Sequence, residues 1–256
     1  MIHKFLNAGV MIGARQETPE EGVPQGSPLS PLLGNIMLNE LDRELTVRGH
    51  KYVRYADDMM IMCKSKRAAE RTLVSTTSYI ESKLYLRVNR EKTVVSHVSK
   101  VKFLGYSFYV RAGECRLVAH PKSRARMKTR LRAITSRSNG KGDAWRKQTL
   151  SYYIMGWTQY FRYADMKSYL RGIDEWLRRR LRMCIWKQWK RIKTKMRNLQ
   201  KLGLSKQKAY EYANTRKGYW HIADSWILST TITNARLKQA GYIFFSDCYK
   251  LPATAY

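Results

Sequence analysis

Lys51-Tyr-Val-Arg-Tyr-Ala-Asp-Asp-Met-Met-Ile-Met-Cys63 decides how the first half of the chain reads. Apolar residues flank two adjacent carboxylates, with Val53 and Tyr55 alternating before them and Met59, Ile61 and Cys63 after. This is the pattern of strand, tight turn, strand, with Asp57-Asp58 at the turn. Two acids at the tip of a supported hairpin give hard divalent cations such as Mg²⁺ fixed oxygen ligands, with positions left open for water and phosphate. A pair of such metals clamps the attacking and leaving oxygens of a phosphoryl transfer. Taken alone, the same residues also make an ordinary Asp-Asp turn, because Asp is common in turns.

The 256 residues allow one large domain or two to three small ones. A hydrophobic content of 44% with 12% aromatics supplies a core and excludes a disordered chain. The formal net charge of +30 is unevenly spread. Residues 1–110 carry 16 Lys and Arg against 11 Asp and Glu, a net of +5, whereas residues 111–256 carry 33 against 8, a net of +25, together with all seven Trp. A cationic, Trp-rich second half points to a polyanion, most simply nucleic acid. A basic protein without such a partner, or a membrane-surface binder, is the alternative. Cys63, Cys115, Cys184 and Cys248 are far apart and none forms a Cys-x-x-Cys pair, which argues against zinc and does not imply disulfides. No run approaches the length of a membrane span, and the N-terminus, interrupted by Lys4, lacks the layout of a signal peptide. An intracellular protein with reduced thiols is expected.

Residues 1–16 read as a helix end followed by a turn, and 17–21 as an acidic loop. Gly22-Val-Pro-Gln-Gly-Ser-Pro-Leu-Ser-Pro31 is a shaped loop. It feeds a helix with Ser30 as N-cap, Pro31 at the first position, and an apolar face of Leu32, Leu33, Ile36, Met37, Leu41 and Leu45. Such a loop can approach a phosphate or sugar closely, although a purely structural turn has the same composition. Residues 66–86 predict a helix with Ala69, Leu73, Ile80 and Leu84 on the buried side. Asn89–Val95 reads as a loop entering a strand, and Lys100–Val110 as strand, bend at Gly105, strand. The order is that of an α+β fold with a mostly antiparallel sheet and helices on one face.

From Pro121 the texture is helical. Arg124, Arg126, Lys128, Arg130 and Arg132 form one basic stretch, and residues 138–143 form a break. Residues 144–163 and 166–193 predict two long helices. The second sets Leu170, Ile173, Leu177, Leu181, Cys184 and Ile185 opposite Arg and Lys. With few acids nearby, that cationic face suits phosphate. The segment 195–256 reads as a small basic helical module in which Tyr219 or Trp220 either packs in the core or stacks on bases.

In order, Gly22–Pro31, Tyr55-Ala-Asp-Asp58, Glu91-Lys-Thr93 and Lys102-Phe-Leu-Gly-Tyr106 resemble the palm of a group II intron reverse transcriptase. Gly156–Phe161 and Trp176–Arg182 resemble its thumb, or maturase-specific domain. Asn198–Leu204 and Lys217–Trp220 resemble the DNA-binding tail that follows. The resemblance runs over nearly the whole chain. The spacing from the loop to Tyr55 makes it specific, whereas Tyr-Ala-Asp-Asp alone is weak. It implies an α+β protein: a partial polymerase palm over 1–118, an all-α thumb/maturase region over 119–194 and a basic helical tail over 195–256.

The roles that follow are those implied by the resemblance. Asp57 and Asp58 would be the ligands of two Mg²⁺ ions, and Lys92 would protonate or neutralise the leaving pyrophosphate. Pro24, Gln25, Gly26, Tyr55 and Ala56 would meet the nucleotide, the template base and the primer end. Phe103, Leu104 and Gly105 would be the primer grip. Arg124, Arg126, Arg130, Arg178, Arg179, Arg180 and Lys217 would contact nucleic acid. The implied partners are intron RNA, an RNA template with a DNA primer, dNTP and target DNA, with no membrane. The implied setting is the bacterial cytoplasm near the nucleoid, an organellar origin staying open.

The chain departs from the family pattern in one respect: it has no Asp before Asp42, and the only acids ahead of the Gly22–Pro31 loop are Glu17, Glu20 and Glu21. The third palm carboxylate and the fingers are therefore expected to have been cut away from this chain, to lie on a separate piece of a split protein, or to have been lost in a relic of a fragmented intron gene. The chain alone is expected to polymerise poorly or not at all. A maturase-like RNA-binding protein without polymerase activity is the second reading.

Overall fold

The computed structural model describes residues 29–249, together with the backbone of 10–12 and 15–17. The chain divides into two compact units, Met1–Phe103 and Leu104–Tyr256.

The first unit begins with an antiparallel pair, β1 (Val10–Ile12) and β2 (Arg15–Glu17), with Val10 opposite Glu17. The helix end expected over 1–16 is thus replaced by extended backbone in the part described. Helix α1 (Ser30–Val47) follows. Ser30 is its first residue rather than its cap; Leu29 holds the N-cap position without a side-chain hydrogen bond, and Pro31 presets the backbone of the first turn. Leu41 and Leu45 of the expected apolar face are buried, whereas Leu32, Ile36 and Met37 are exposed. Past α1, Gly49 takes a φ of 73° and the His50 N–H donates to the Leu45 carbonyl at 2.9 Å, closing the helix through a left-handed turn that suits Gly.

The hairpin of β3 (Lys51–Tyr55) and β4 (Asp58–Met62) comes next, then α2 (Lys66–Lys83). Ser65 caps α2 by accepting from the Ala68 N–H at 3.2 Å. Its buried positions are Thr72 and Thr76. Ala69, Leu73, Ile80 and Leu84 are half-buried. Residues 93–95 form no strand. A short 3₁₀ turn (Val98–Lys100) leads to β5 (Lys102–Phe103).

The second unit opens with the hairpin of β6 (Tyr106–Arg111) and β7 (Glu114–Ala119), joined by Ala112 and Gly113 at φ 50° and 79°, the type I′ pattern that follows strand twist. Helices α3 (Pro121–Ile134), α4 (Asp143–Tyr160) and α5 (Lys167–Gln188) succeed it. The last part holds α6 (Ile192–Lys201), α7 (Lys206–Ala213) and four short helices: α8 (Tyr219–Ile222), α9 (Trp226–Thr231), α10 (Asn234–Gln239) and α11 (Phe245–Cys248).

One apolar core joins these elements. Met127, Leu131, Leu150, Ile154, Leu170, Leu177, Leu181 and Trp186 meet Leu199, Ile227, Leu237, Phe244 and Phe245. The segments 119–194 and 195–249 therefore share that core. The fully buried Asp174 of α5 ties them further, accepting from the backbone N–H groups of Phe245 and Ser246 at 2.9 Å each. No helix among the described residues is long and apolar enough to cross a membrane.

Candidate active site and nucleic-acid interface

Tyr55 pairs with Asp58 across the β3–β4 hairpin, leaving Ala56 and Asp57 as the two central turn residues. Asp58 is thus the first residue of β4, one step outside the turn expected to hold both acids. Of the turn and its flanks only Ala56 has positive φ, 53°, a position where glycine is usual in two-residue hairpins. Asp57 and Asp58 are both exposed, and no described residue pairs with either carboxylate. Tyr55 is 64% exposed beside them.

The strand face that turns inward is Tyr52 and Arg54, not Val53 and Tyr55. Arg54 donates through Nε to Asp42 Oδ1 at 2.9 Å and through Nη2 to Oδ2 at 2.5 Å. Its Nη1 donates to Asn35 Oδ1 at 2.9 Å and to the Ala56 carbonyl at 3.0 Å. Tyr52 Oη donates to the Asp42 carbonyl at 3.0 Å. Asn35 and Asp42, two turns apart on α1, thereby brace the backbone of the acidic turn. The hydrogen bond to Asp42 raises the Arg54 pKa further above an already permanent charge. Asp42 is committed to this ion pair. Among the described residues no three His, Cys, Asp or Glu side chains gather as a metal site.

Pro24, Gln25 and Gly26 lie outside the described residues. Lys92 is exposed in the turn after Asn89, whose side chain accepts from the Lys92 N–H at 3.1 Å. No described residue pairs with its ammonium. Phe103 is half-buried at the end of the first unit.

Leu104 and Gly105 open the second unit as a left-handed turn with φ of 48° and 78°. Ser123 Oγ and the His120 N–H donate to the Gly105 carbonyl at 3.0 and 2.9 Å, and Tyr160 Oη donates to the Leu104 carbonyl at 2.9 Å. A Cβ on Gly105 would stand 3.1 Å from Ser123 Oγ and 3.4 Å from the Phe161 ring. The Phe161 ring in turn packs against Trp157 and Tyr106, with centroids 4.6 and 5.0 Å away.

The expected cations divide into two groups. Arg124 is half-buried, donating to the Ala119 carbonyl at 2.8 Å and lying 4.6 Å from the Tyr169 ring. Arg178 lies over Phe244. Arg179 lies 4.0 Å from the Trp220 ring and pairs with Asp224 at 3.0 Å. Arg180 donates to Thr135 Oγ1 at 2.6 Å and to the carbonyls of Arg132 and Thr135, and burial lowers its pKa. Arg178, Arg179 and Arg180 are therefore half-buried and each is already engaged by a ring, a carboxylate or carbonyls of the second unit. The shortage of acids that suggested a phosphate face is met by backbone carbonyls and aromatic rings. Arg126, Arg130 and Lys217 are exposed.

A family model described as reverse transcriptase (RNA-dependent DNA polymerase) matches residues 1–108, and one described as the group II intron, maturase-specific domain matches residues 124–203. The chain thus joins a reverse transcriptase match to a group II intron maturase-specific match. The hairpin acids and the Phe103-Leu-Gly105 turn fall in the first match, and α3 to α6 fall largely in the second.

Relatives agree. The chain is 32% identical over 165 residues to Protein YkfC of Escherichia coli (strain K12), covering 49% of this chain and 43% of that protein. It is 29% identical over 176 residues to the group II intron-encoded protein LtrA of Lactococcus lactis subsp. cremoris, covering 43% and 29%. It is 40% identical over 75 residues to the Retron Mx65 reverse transcriptase of Myxococcus xanthus, covering 28% and 17%. The chain spans less than half the length of the curated relatives it matches.

The residues that sequence reasoning missed are Arg54, Asp42 and Asn35. Their signal was present: Arg54 shares the Tyr52 face of an alternating strand, and Asn35 and Asp42 lie seven apart on one face of a helix.

Proposed function

We propose that this chain takes part in RNA-directed DNA synthesis and in folding the RNA of a group II intron for splicing and retrohoming. The observation that carries the catalytic part is the open pair Asp57 and Asp58 on a hairpin tip held rigid by Arg54. Two exposed carboxylates on adjacent residues suit a hard divalent cation, here Mg²⁺, as part of its oxygen shell. When bound, the metal lowers the pKa of a primer 3′-hydroxyl and offsets charge on the departing pyrophosphate. Tyr55 and Ala56 stand where a primer end would approach those acids. Pro24, Gln25 and Gly26 take part in holding nucleotide and template base. Lys92 supplies a cation for pyrophosphate, and the Phe103-Leu104-Gly105 turn steadies the primer. Arg126, Arg130 and Lys217 contact phosphates of RNA or target DNA.

The described residues contribute two carboxylates to a shell that the family builds from three. Without the third carboxylate these residues bind RNA but extend a primer weakly or not at all. The +25 charge of residues 111–256 favours RNA binding as the activity retained. The bacterial relatives support a cytoplasmic, nucleoid-associated setting.

Primer extension on an RNA template with dNTPs and Mg²⁺, comparing the chain with Asp57→Ala, tests the proposal. No extension by either protein, with tight salt-sensitive RNA binding by both, is expected. Adding an N-terminal fingers-and-palm fragment should restore extension to the unaltered chain and not to Asp57→Ala. Extension by both proteins would remove the catalytic role of the hairpin.

A further inference from the structure

A cleft of about 770 Å³ opens in the second unit between α5, α8 and the segment from α9 into α10. That volume falls within the range of ligand clefts, about 300–1,000 Å³. Arg178, Arg179 and Arg182 line one wall, Trp220 and Asp224 another, and Thr233 and Asn234 a third.

Three properties restrict what it can hold. First, the Arg179 guanidinium lies 4.0 Å from the centroid of the Trp220 ring, and Trp220 is 38% exposed. A delocalised cation stacked on an indole is a flat platform that accepts an unpaired base. Second, the cations are partly offset. Asp224 pairs with Arg179, and Glu175 also lines the cleft. A track for duplex phosphates needs a run of uncompensated cations; this cleft carries a small net positive charge suited to about one phosphate. Third, its polar groups are fixed. Arg182 donates to the Ile232 carbonyl at 3.0 Å and to Asn234 Oδ1 at 3.2 Å, which orients the Asn234 amide as a donor. Arg178 Nε is buried with no hydrogen-bond partner.

We propose that this cleft holds a single unpaired nucleotide of a bound strand, its base stacked on the Trp220–Arg179 platform, its edge read by Asn234, and its phosphate facing Arg178 and Arg182. The cleft shares no residue with the Asp57–Asp58 hairpin. It rests on the reading of the second unit as a nucleic-acid binder. It adds that one extrahelical base is recognised, not only the phosphate backbone.

The test uses the full chain and fluorescence anisotropy on two RNA hairpins, identical except that one carries a single-nucleotide bulge. The unaltered chain should hold the bulged hairpin about tenfold more tightly, the scale of one stacked base. Trp220→Leu and Asn234→Ala should each bring that ratio close to one. Equal affinity of the unaltered chain for both hairpins, or a preference that survives both substitutions, overturns the inference while leaving RNA binding in place. No binding to either hairpin overturns the RNA-binding reading as well. A bulged DNA hairpin of the same sequence forms a second arm: the strand type whose preference the substitutions abolish is the source of the nucleotide. To guard against misfolded variants, 4-thiouridine at the bulge should crosslink the unaltered chain within residues 172–182 or 220–235; crosslinks confined elsewhere also overturn the inference.

Discussion

Arg54 and Asp42 face each other in a two-pronged ion pair, Nε to Oδ1 at 2.9 Å and Nη2 to Oδ2 at 2.5 Å, and the same guanidinium holds the Ala56 carbonyl. The side chains are 13% and 23% exposed, so water screens the pair little. Replacing Arg54 by Met leaves Asp42 without its cation and frees the turn. The expected loss is about 2–3 kcal/mol from the first unit, measured by chemical denaturation. Arg54→Lys should recover little of it, because an ammonium cannot make the fork. In the double variant Arg54→Met with Asp42→Leu, part of the loss should return, since no orphan charge remains.

Gly105 tests the strapped turn. Its φ of 78° and the 3.1 Å approach that a Cβ would make to Ser123 Oγ both penalise a side chain. Gly105→Ala should lower the stability of the second unit by about 1–2 kcal/mol, read as a lower melting temperature. An unchanged melting temperature would mean that the turn relaxes freely and holds nothing in register.

The two groups of arginines should behave oppositely. Exposed Arg126 and Arg130, each changed to Ala, should reduce the slope of log affinity for RNA against log salt by about 1 per residue, with melting unaffected. Arg180→Met removes bonds to Thr135 and Arg132 inside the fold. It should lower the melting temperature and leave the salt slope unchanged. A slope change from Arg180→Met with intact melting would return that residue to the phosphate face.

Acid should loosen the second unit through Asp143. Burial, the largest single influence, would raise its pKa, but hydrogen bonds from Lys147 and Tyr242 and the charges of Lys147 and Arg146 outweigh it and hold the carboxyl below its ordinary value. The folded state thus binds its proton less tightly than the unfolded chain. The stabilisation is complete above the unfolded carboxylate pKa, about 3.9, and is lost as pH falls through the lower folded value. The stability difference between the protein and Asp143→Asn, followed by denaturant titration from pH 6 to pH 3, should shrink over that acid range.

Much of this arrangement was legible beforehand. The hairpin at residues 51–63, the break at 138–143 and the stripe Leu170, Ile173, Leu177, Leu181 and Cys184 all follow from periodicity, because a strand repeats every two residues and a helix every 3.6. The apolar face that periodicity predicts for α1 is broader than the buried one: Leu32, Ile36 and Met37 have helical spacing yet stay exposed. Periodicity states which residues share a face, not how much of that face another element covers. Arg178, Arg179 and Arg180 show the same limit for charge. A cation with no acid near it in sequence can still be engaged by a carbonyl or a ring many residues away, as Arg180 is by Thr135 and Arg179 by Trp220.

The sequence by itself determined most element types, the adjacent acids at or beside a hairpin tip, the cationic second half and the family resemblance, since these depend on local order and composition. Only the tertiary structure decided that Arg54 braces the acidic turn, that the 195–249 segment shares the core of α3 to α5, and that Arg178, Arg179 and Arg180 are engaged by rings, a carboxylate and carbonyls of their own unit. Each of those depends on side chains far apart in the chain meeting at hydrogen-bond distance, and the free energy of such a meeting is set by geometry and burial that spacing along a sequence does not encode.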